Sequence, residues 1–216
     1  MKRSIVNEFD ELSNKLSNLS GVFSYQLKNL CVKADPVSLL TIEVTIDGEN
    51  QKLEDCTSIA QNDDYSFAIV PHYEDDMPAL AQGIFKAHPE FKQKPMSMMV
   101  DSKDMKGNPK EVEVPYILAT MPEVDDERYD ILNEGVKLCY DNCKAKMDAA
   151  ILKSDTKMAE LLAGESEDTI NDVTDTFDML KKEWNDKRDQ TRDEKLQEIE
   201  EAYKKWIVKV EGKYTK

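Results

Sequence analysis

The apolar positions of this chain predict long amphipathic helices at both ends and a strand-rich stretch between them. In the first helix, from about Ser4 to Leu30, apolar residues recur at three- and four-residue spacing: Ile5, Phe9, Leu12, Leu16, Leu19, Phe23, Leu27 and Leu30. A helix with one apolar stripe needs a packing partner, and the only other long stripes lie beyond Asp125. The middle of the chain is therefore predicted to be an insertion into one helical bundle.

Two further helices are predicted in the C-terminal half. The first begins near Asp125, which is a suitable N-cap, and ends at Gly164. The second begins at about Ser166 and carries a polar run over residues 185–195. Because that run contains neither Gly nor Pro, we favour one continuous helix over a break into two.

The middle predicts a small α/β unit. Strands are expected at residues 39–46, 65–70, 96–100 and 111–116, a tight turn at Asp47-Gly48, a helix at 77–85 and a turn at 104–109. Asp35-Pro36 and Met121-Pro122 bracket this insertion and are predicted to act as a hinge. The predicted domains are residues 1–34 with 123–216, a discontinuous bundle, and the inserted residues 35–122.

The net charge of −15 argues against nucleic-acid binding, but its distribution softens the objection. Residues 1–33 carry net +2, residues 34–123 net −10 and residues 124–216 net −7. The negative charge is densest in the insertion, so the helical part is mixed. A basic tail over residues 204–216 either touches RNA or complements the helix dipole.

Metal, cofactor and catalytic sites are not predicted. Four scattered cysteines, of which Cys139 and Cys143 lie one helical turn apart, are interpreted as reduced core thiols. The two histidines lie in another segment, so a zinc site would lack ligands. None of the seven glycines forms a phosphate-binding loop motif, and no nucleophile stands beside His72, so we expect no enzyme. No segment is apolar enough for a membrane span or a secretory signal, and we expect a cytoplasmic protein.

The order of elements and several short segments resemble the bacterial ribosome recycling factor family. The segments that carry this resemblance are Phe23-Ser24-Tyr25-Gln26-Leu27, Ser38-Leu39-Leu40, Val44-Thr45-Ile46-Asp47-Gly48, Leu53 through Ile59, Ile84 before Pro89, and Asp126-Glu127-Arg128. From Arg128 to Leu162 the register of the family's second helix fits without a gap. The resemblance implies an α+β fold: a three-helix bundle with a small β/α/β domain inserted after the first helix.

The resemblance also implies a function. Family members bind the large ribosomal subunit after termination and split the ribosome together with elongation factor G. Their bundle contacts ribosomal RNA through basic side chains, and the positions here that match basic residues of the family are Arg128, Lys137, Lys144 and Lys157. Lys33 is the one charge kept in the stretch before the first hinge. Three family arginines fall at Asp148, Ile151 and Leu152, so none is present.

Two hypotheses remain open at this point. The first is a recycling factor that binds the large subunit and elongation factor G. The second is a non-recycling paralogue, an acidic protein-interaction module with weakened binding to ribosomal RNA. Leu152 is predicted to be exposed, and it either meets a partner or is an isolated surface leucine. We expect no membrane partner and a monomer, although the long third helix leaves dimerisation undecided.

Overall fold

A computed structural model of the protein describes residues 2–103 and 109–214, with side chains as far as Gly212. The helices and strands, in chain order, are α1 (Arg3–Asn29), β1 (Glu43–Ile46), β2 (Glu49–Lys52), α2 (Leu53–Cys56), β3 (Thr57–Asp63), β4 (Ser66–Pro71), α3 (Met77–Ala87), β5 (Lys92–Lys103), β6 (Pro109–Thr120), α4 (Asp126–Leu162) and α5 (Glu167–Tyr214). The fold class is α+β, as the resemblance implied.

The chain forms two compact units. The helical unit consists of residues 1–30 and 125–216, and the inserted unit consists of residues 31–124. The first limit lies before the predicted 34/35, because Cys31 and Ala34 are buried in the core of the inserted unit. The second limit lies two residues beyond the predicted 122/123.

The helical unit packs α1, α4 and α5 together. Its buried residues follow the apolar stripes, for example Leu16 and Phe23 on α1, Met147 on α4 and Ile199 on α5. The Asp125 side chain accepts a hydrogen bond from the Arg128 backbone N–H over 2.9 Å, so the predicted N-cap of α4 is confirmed. The predicted continuous third helix is also confirmed, since α5 runs unbroken through the polar residues 185–195.

The inserted unit contains two antiparallel sheets. β1 and β2 form a hairpin in which Ile46 pairs with Glu49, and the other strands form a sheet of order β3-β4-β6-β5. Both residues of the predicted Asp47-Gly48 turn have positive φ, 51° and 84°, as a two-residue hairpin with matching twist requires. The predicted turn at 104–109 falls on Asp104–Asn108, which lie outside the described residues.

One predicted strand is shorter than expected. Residues 39–42 do not join β1, because Pro36–Ser38 form a 3-10 turn in which Asp35 accepts a hydrogen bond from Val37 N–H over 3.0 Å. Leu39 then enters the core of the inserted unit directly after this turn. The structure also contains strands β2 and β3, which the apolar pattern did not predict.

Two of the residues predicted as a hinge are held by the inserted unit. Asp35 caps the 3-10 turn, and the buried Met121 donates its backbone N–H to the Tyr65 carbonyl over 2.7 Å. The hinge at Asp35, Pro36, Met121 and Pro122 stays a prediction. No helix among the described residues is long and apolar enough to cross a membrane.

Candidate nucleic-acid interface

The five basic residues proposed to contact RNA do not form one patch. Arg128, Lys137, Lys144 and Lys157 lie on α4, whereas Lys33 belongs to the inserted unit. Lys137 and Lys144 are seven residues apart and share one exposed face of α4. They are the pair of candidates that the helix places together for binding phosphate.

Lys144 is already paired within its own helix. Its Nζ lies 2.6 Å from Asp148 Oδ2, one turn further along, and both side chains are about half exposed. An exposed pair of this kind contributes little to stability, on the order of 0.5 kcal/mol, so breaking it costs little. Asp148 nevertheless places a negative charge where the family has an arginine. Leu152 is 69 % exposed, and Ile151 is half buried.

Lys157 is directed towards α1. Its ammonium pairs with Glu8 and, over 3.0 Å, with Glu11. Hydrogen bonds to these two carboxylates raise the pKa of Lys157. Because both of its partners are acidic and belong to α1, Lys157 serves first to join α1 to α4.

Glu8 is buried, which is unusual for a carboxylate in a helical bundle. Ser154 Oγ donates a hydrogen bond to Glu8 Oε1 over 2.6 Å, and Lys157 pairs with the other oxygen. Burial opposes ionisation, but the bonds from Lys157 and Ser154 outweigh it and lower the pKa of Glu8. The sequence did not predict this cluster, because Glu8 has the pattern of an ordinary residue on the polar face of α1.

Arg128 lies in the first turn of α4, directly after the acidic residues Asp125, Asp126 and Glu127. Nearby, Tyr203 donates to Asp126 Oδ1 over 2.5 Å and Tyr129 donates to Glu200 Oε2 over 2.8 Å. The bond to Asp126 raises the pKa of Tyr203 to about 12. Both carboxylates are therefore satisfied by phenols, and the two tyrosine rings stack with centroids 4.4 Å apart.

The polar run of α5 contains a buried arginine that sequence reasoning also missed. The Tyr140 ring faces the guanidinium groups of Arg188 at 4.9 Å and Arg192 at 4.6 Å. Its hydroxyl donates to Asp189 Oδ1 over 2.7 Å, and Arg188 donates to the same oxygen. The polar run therefore packs on α4 through the buried Arg188, which shares the part-buried Tyr140 and Asp189 as partners.

The four cysteines do not form a disulfide among the described residues. All four cysteines are free, and Cys31, Cys56 and Cys143 are buried. Burial raises the pKa of the Cys139 and Cys143 thiols, which keeps them protonated and poorly reactive. Within residues 2–103 and 109–214, no group of three or more His, Cys, Asp and Glu side chains is arranged to hold a metal ion.

Comparison with known proteins shows the fold. No protein-family model matches the sequence, and no curated protein matches it. The solution structure of a ribosome recycling factor is similar with a TM-score of 0.67 and 16% identity, covering 93% of this chain and 100% of that chain. A second solved chain belongs to models for the T. thermophilus ribosome recycling factor and the E. coli elongation factor G bound to the E. coli post-termination complex. It has a TM-score of 0.56 and 16% identity, covering 90% of this chain and 98% of that chain. The chain has the fold of ribosome recycling factors.

Proposed function

We propose that this protein is a translation factor of the ribosome recycling type. In this proposal it binds the large ribosomal subunit after termination and acts with elongation factor G to split the ribosome. The observation that carries the proposal is the extent of the fold similarity, which covers 93% of this chain and all of a ribosome recycling factor. That extent includes the unusual order of one helix, an inserted sheet unit and two helices. The protein acts by binding, without catalysis, in the cytoplasm.

The basic residues of α4 support a contact with ribosomal RNA. Lys137 and Lys144 point away from the bundle core on one face, and Lys144 has only an exposed ion pair to exchange for phosphate. Lys157 contributes less in this proposal, because Glu8 and Glu11 already neutralise it. The RNA contact is expected to be weaker than one built on arginines, which bind phosphate through two donors.

One observation favours a second candidate function. Where the family has arginines, this chain has an acidic residue and an exposed leucine, Asp148 and Leu152. A chain that kept the fold and changed this face is a candidate for a non-recycling paralogue that binds protein.

Co-sedimentation with large ribosomal subunits from the same organism tests the proposal, at low and at physiological salt. We expect binding that weakens as salt increases, because bound lysines displace counterions from the phosphates. Exchanging Lys137 and Lys144 for Gln is expected to lower the salt slope by about one unit per lost phosphate contact. Lys86→Gln with Lys182→Gln, at exposed sites on α3 and α5, removes the same charge and is the matched control.

Absence of binding at low salt would refute the recycling function and favour the paralogue. Binding that is unaffected by the double Lys137→Gln, Lys144→Gln change would keep the ribosome as the partner but move the contact away from this face of α4.

A further inference from the structure

The four-stranded sheet of the inserted unit has one face towards the core of that unit and one face away from it. Odd-numbered residues of β4, β5 and β6 point towards the core, for example Phe67 and Ile117, which are buried there. Gln93 on β5 lies on the same side, since its Nε2 donates to the Ala81 carbonyl of α3 over 3.0 Å. The even-numbered residues of these strands form the opposite face, which we call the outer sheet face.

Apolar side chains form a strip along the outer sheet face. Because β4 pairs with residues 117–120 of β6, the rest of β5 and β6 continues as a ribbon of two strands. Met98 and Val100 on this ribbon are 37 and 40 % exposed. The strip consists of three pairs of residues that stand directly opposite each other: Met96 with Tyr116, Met98 with Val114, and Val100 with Val112.

The charges on the outer sheet face have one sign. Its positions on β4, β5 and β6 contain three exposed lysines, Lys92, Lys94 and Lys110, and neither Asp nor Glu. Among the described residues, none of these three lysines forms an ion pair. The whole chain has a net charge of −15, so this face is basic within an acidic protein.

The acids of the same strands point the other way or are already bonded. Asp101, Glu111 and Glu113 lie at odd-numbered positions, on the opposite face of the ribbon. Asp63, which pairs with Ser66 at the end of β3, accepts a hydrogen bond from the Tyr65 backbone N–H over 2.8 Å. The lysines of the outer sheet face therefore have no acid beside them along the ribbon of β5 and β6.

The lysines lie at both ends of the apolar strip. Lys94 stands opposite Leu118, eight residues after Lys110 on β6, a distance of about 27 Å at 3.4 Å per residue. An α-helix covers this distance with about 18 residues, and its diameter of about 10 Å suits two strands about 5 Å apart. One amphipathic helix would therefore cover the strip and reach a lysine at each end.

We propose that the outer sheet face is a docking surface for an amphipathic α-helix of another protein, which carries an apolar stripe and Asp or Glu at both ends of that stripe. Burial of the apolar strip supplies the affinity. The lysines select acidic ends and fix the position of the helix along the ribbon. This inference does not depend on the proposed recycling function.

Other occupants fit the outer sheet face less well. Single-stranded RNA binds a sheet by stacking on two or three aromatic rings, and Tyr116 is the one aromatic residue at these positions. Anionic membranes attract clusters of about four to eight Lys or Arg, more than this face carries. A second copy packed face to face would bring two sets of lysines together without an acid to oppose them.

Three stapled helical peptides, each of about 18 residues, test the proposal on the full-length protein. The first has a Leu stripe with Glu at both ends, the second replaces those Glu residues by Lys, and the third keeps Glu but replaces the Leu stripe by Ser. Fluorescence anisotropy is expected to show that the first binds at least about tenfold tighter than either of the others. Because the net charge of −15 alone favours the second peptide, general attraction would give a different order.

Two neighbouring methionines on β5 supply a matched pair of variants. Met98 lies on the outer sheet face, whereas Met99 stands opposite Glu113 on the other face and is more exposed, 61 % against 37 %. Met98→Ser is expected to weaken binding of the first peptide at least about fivefold, because few residues dominate such an interface. Met99→Ser is expected to leave binding unchanged.

Charge reversal tests the selection of acidic ends. Lys94→Glu with Lys110→Glu is expected to reverse the preference in favour of the Lys-ended peptide. Lys86→Glu with Lys103→Glu is the control, since it makes the same charge change at exposed sites on α3 and on the other face of the ribbon. We expect this control to keep the preference of the unchanged protein.

Four results would overturn the proposal, each in variants with the circular dichroism of the unchanged protein. The first is binding of the Glu-ended peptide no tighter than that of the Lys-ended one. The second is an equal effect of Met98→Ser and Met99→Ser, and the third is an equal effect of the two charge reversals. The fourth is loss of self-association, or of binding to phosphatidylserine vesicles or to an RNA oligonucleotide, in the Lys94 and Lys110 variant only, which would assign the face to that occupant.

Discussion

Ser154 donates a hydrogen bond of 2.6 Å to Glu8, across 146 residues of sequence and inside the core of the helical unit. The bond joins α1 to α4, the two helices that the insertion separates in the chain. Because both groups are buried, neither can exchange its partner for water without opening the bundle. This pair therefore fixes how α1 aligns along α4, a task that apolar contacts alone perform less specifically.

Loss of the Glu8 carboxylate is expected to destabilise the protein. Glu8→Gln removes the charge that Lys157 pairs with and weakens the bond from Ser154, at a cost of about 1–2 kcal/mol in the free energy of unfolding. Glu11→Gln is the control, since Glu11 also binds Lys157 but its side chain is 69 % exposed, and we expect a cost within about 0.5 kcal/mol. Urea unfolding measures both; equal costs would show that burial of Glu8 does not matter.

The same carboxylate predicts a pH dependence of stability. The pKa of Glu8 is lowered in the folded state, so its stabilising contribution is complete above the ordinary Glu value of about 4.3 and is lost as the pH falls through the lowered value. Glu8→Gln should therefore lose less stability than the unchanged protein between about pH 5 and pH 3. Thermal unfolding across this range checks the prediction, and parallel curves for the two proteins would contradict it.

The long elements were predictable because their signals are local and repeated. The three helices carry apolar stripes over many turns, Asp125 has the right side chain for an N-cap, and Asp47-Gly48 suits only a few turn types. Strand β2 was missed because all four of its residues are exposed and none is apolar, so the alternation that marks a strand is absent. It forms because the turn before it places it beside β1.

The candidate site was less predictable, since its contacts are tertiary. The residues next to Glu8 in sequence give no sign that it is buried. Likewise, the polar run around Arg188 gives no sign that Arg188 packs on Tyr140 of another helix.

In the inserted unit, α3 packs closely against β1 at Gly83. A Cβ at Gly83 would overlap Val44 Cγ1 and lie 3.2 Å from the Glu43 carbonyl oxygen. Gly83→Ala is expected to destabilise the inserted unit by about 1–3 kcal/mol, because both neighbours belong to a paired strand. Gly21→Ala is the matched helical control, with nothing within 4 Å, and should stabilise α1 by about 0.5–1 kcal/mol. Hydrogen exchange of β1 and α3 amides, compared with those of α1, reports the two effects separately.

Arginines placed where ribosome recycling factors have them test whether this face of α4 meets RNA. Asp148→Arg, Ile151→Arg and Leu152→Arg together remove a repulsive carboxylate and add three guanidinium groups. If this face lies against ribosomal RNA, affinity for the large subunit should rise, and the salt slope should steepen by about one unit for each new phosphate contact. Co-sedimentation over a salt series measures both quantities.

A variant with the same charge change elsewhere is the control for that experiment. Asn171→Arg, Asp175→Arg and Met179→Arg change the same total charge at exposed sites on one face of α5. General attraction to RNA would raise binding of both variants equally, whereas a specific α4 contact raises only the first. If neither variant gains, this face of α4 does not meet RNA.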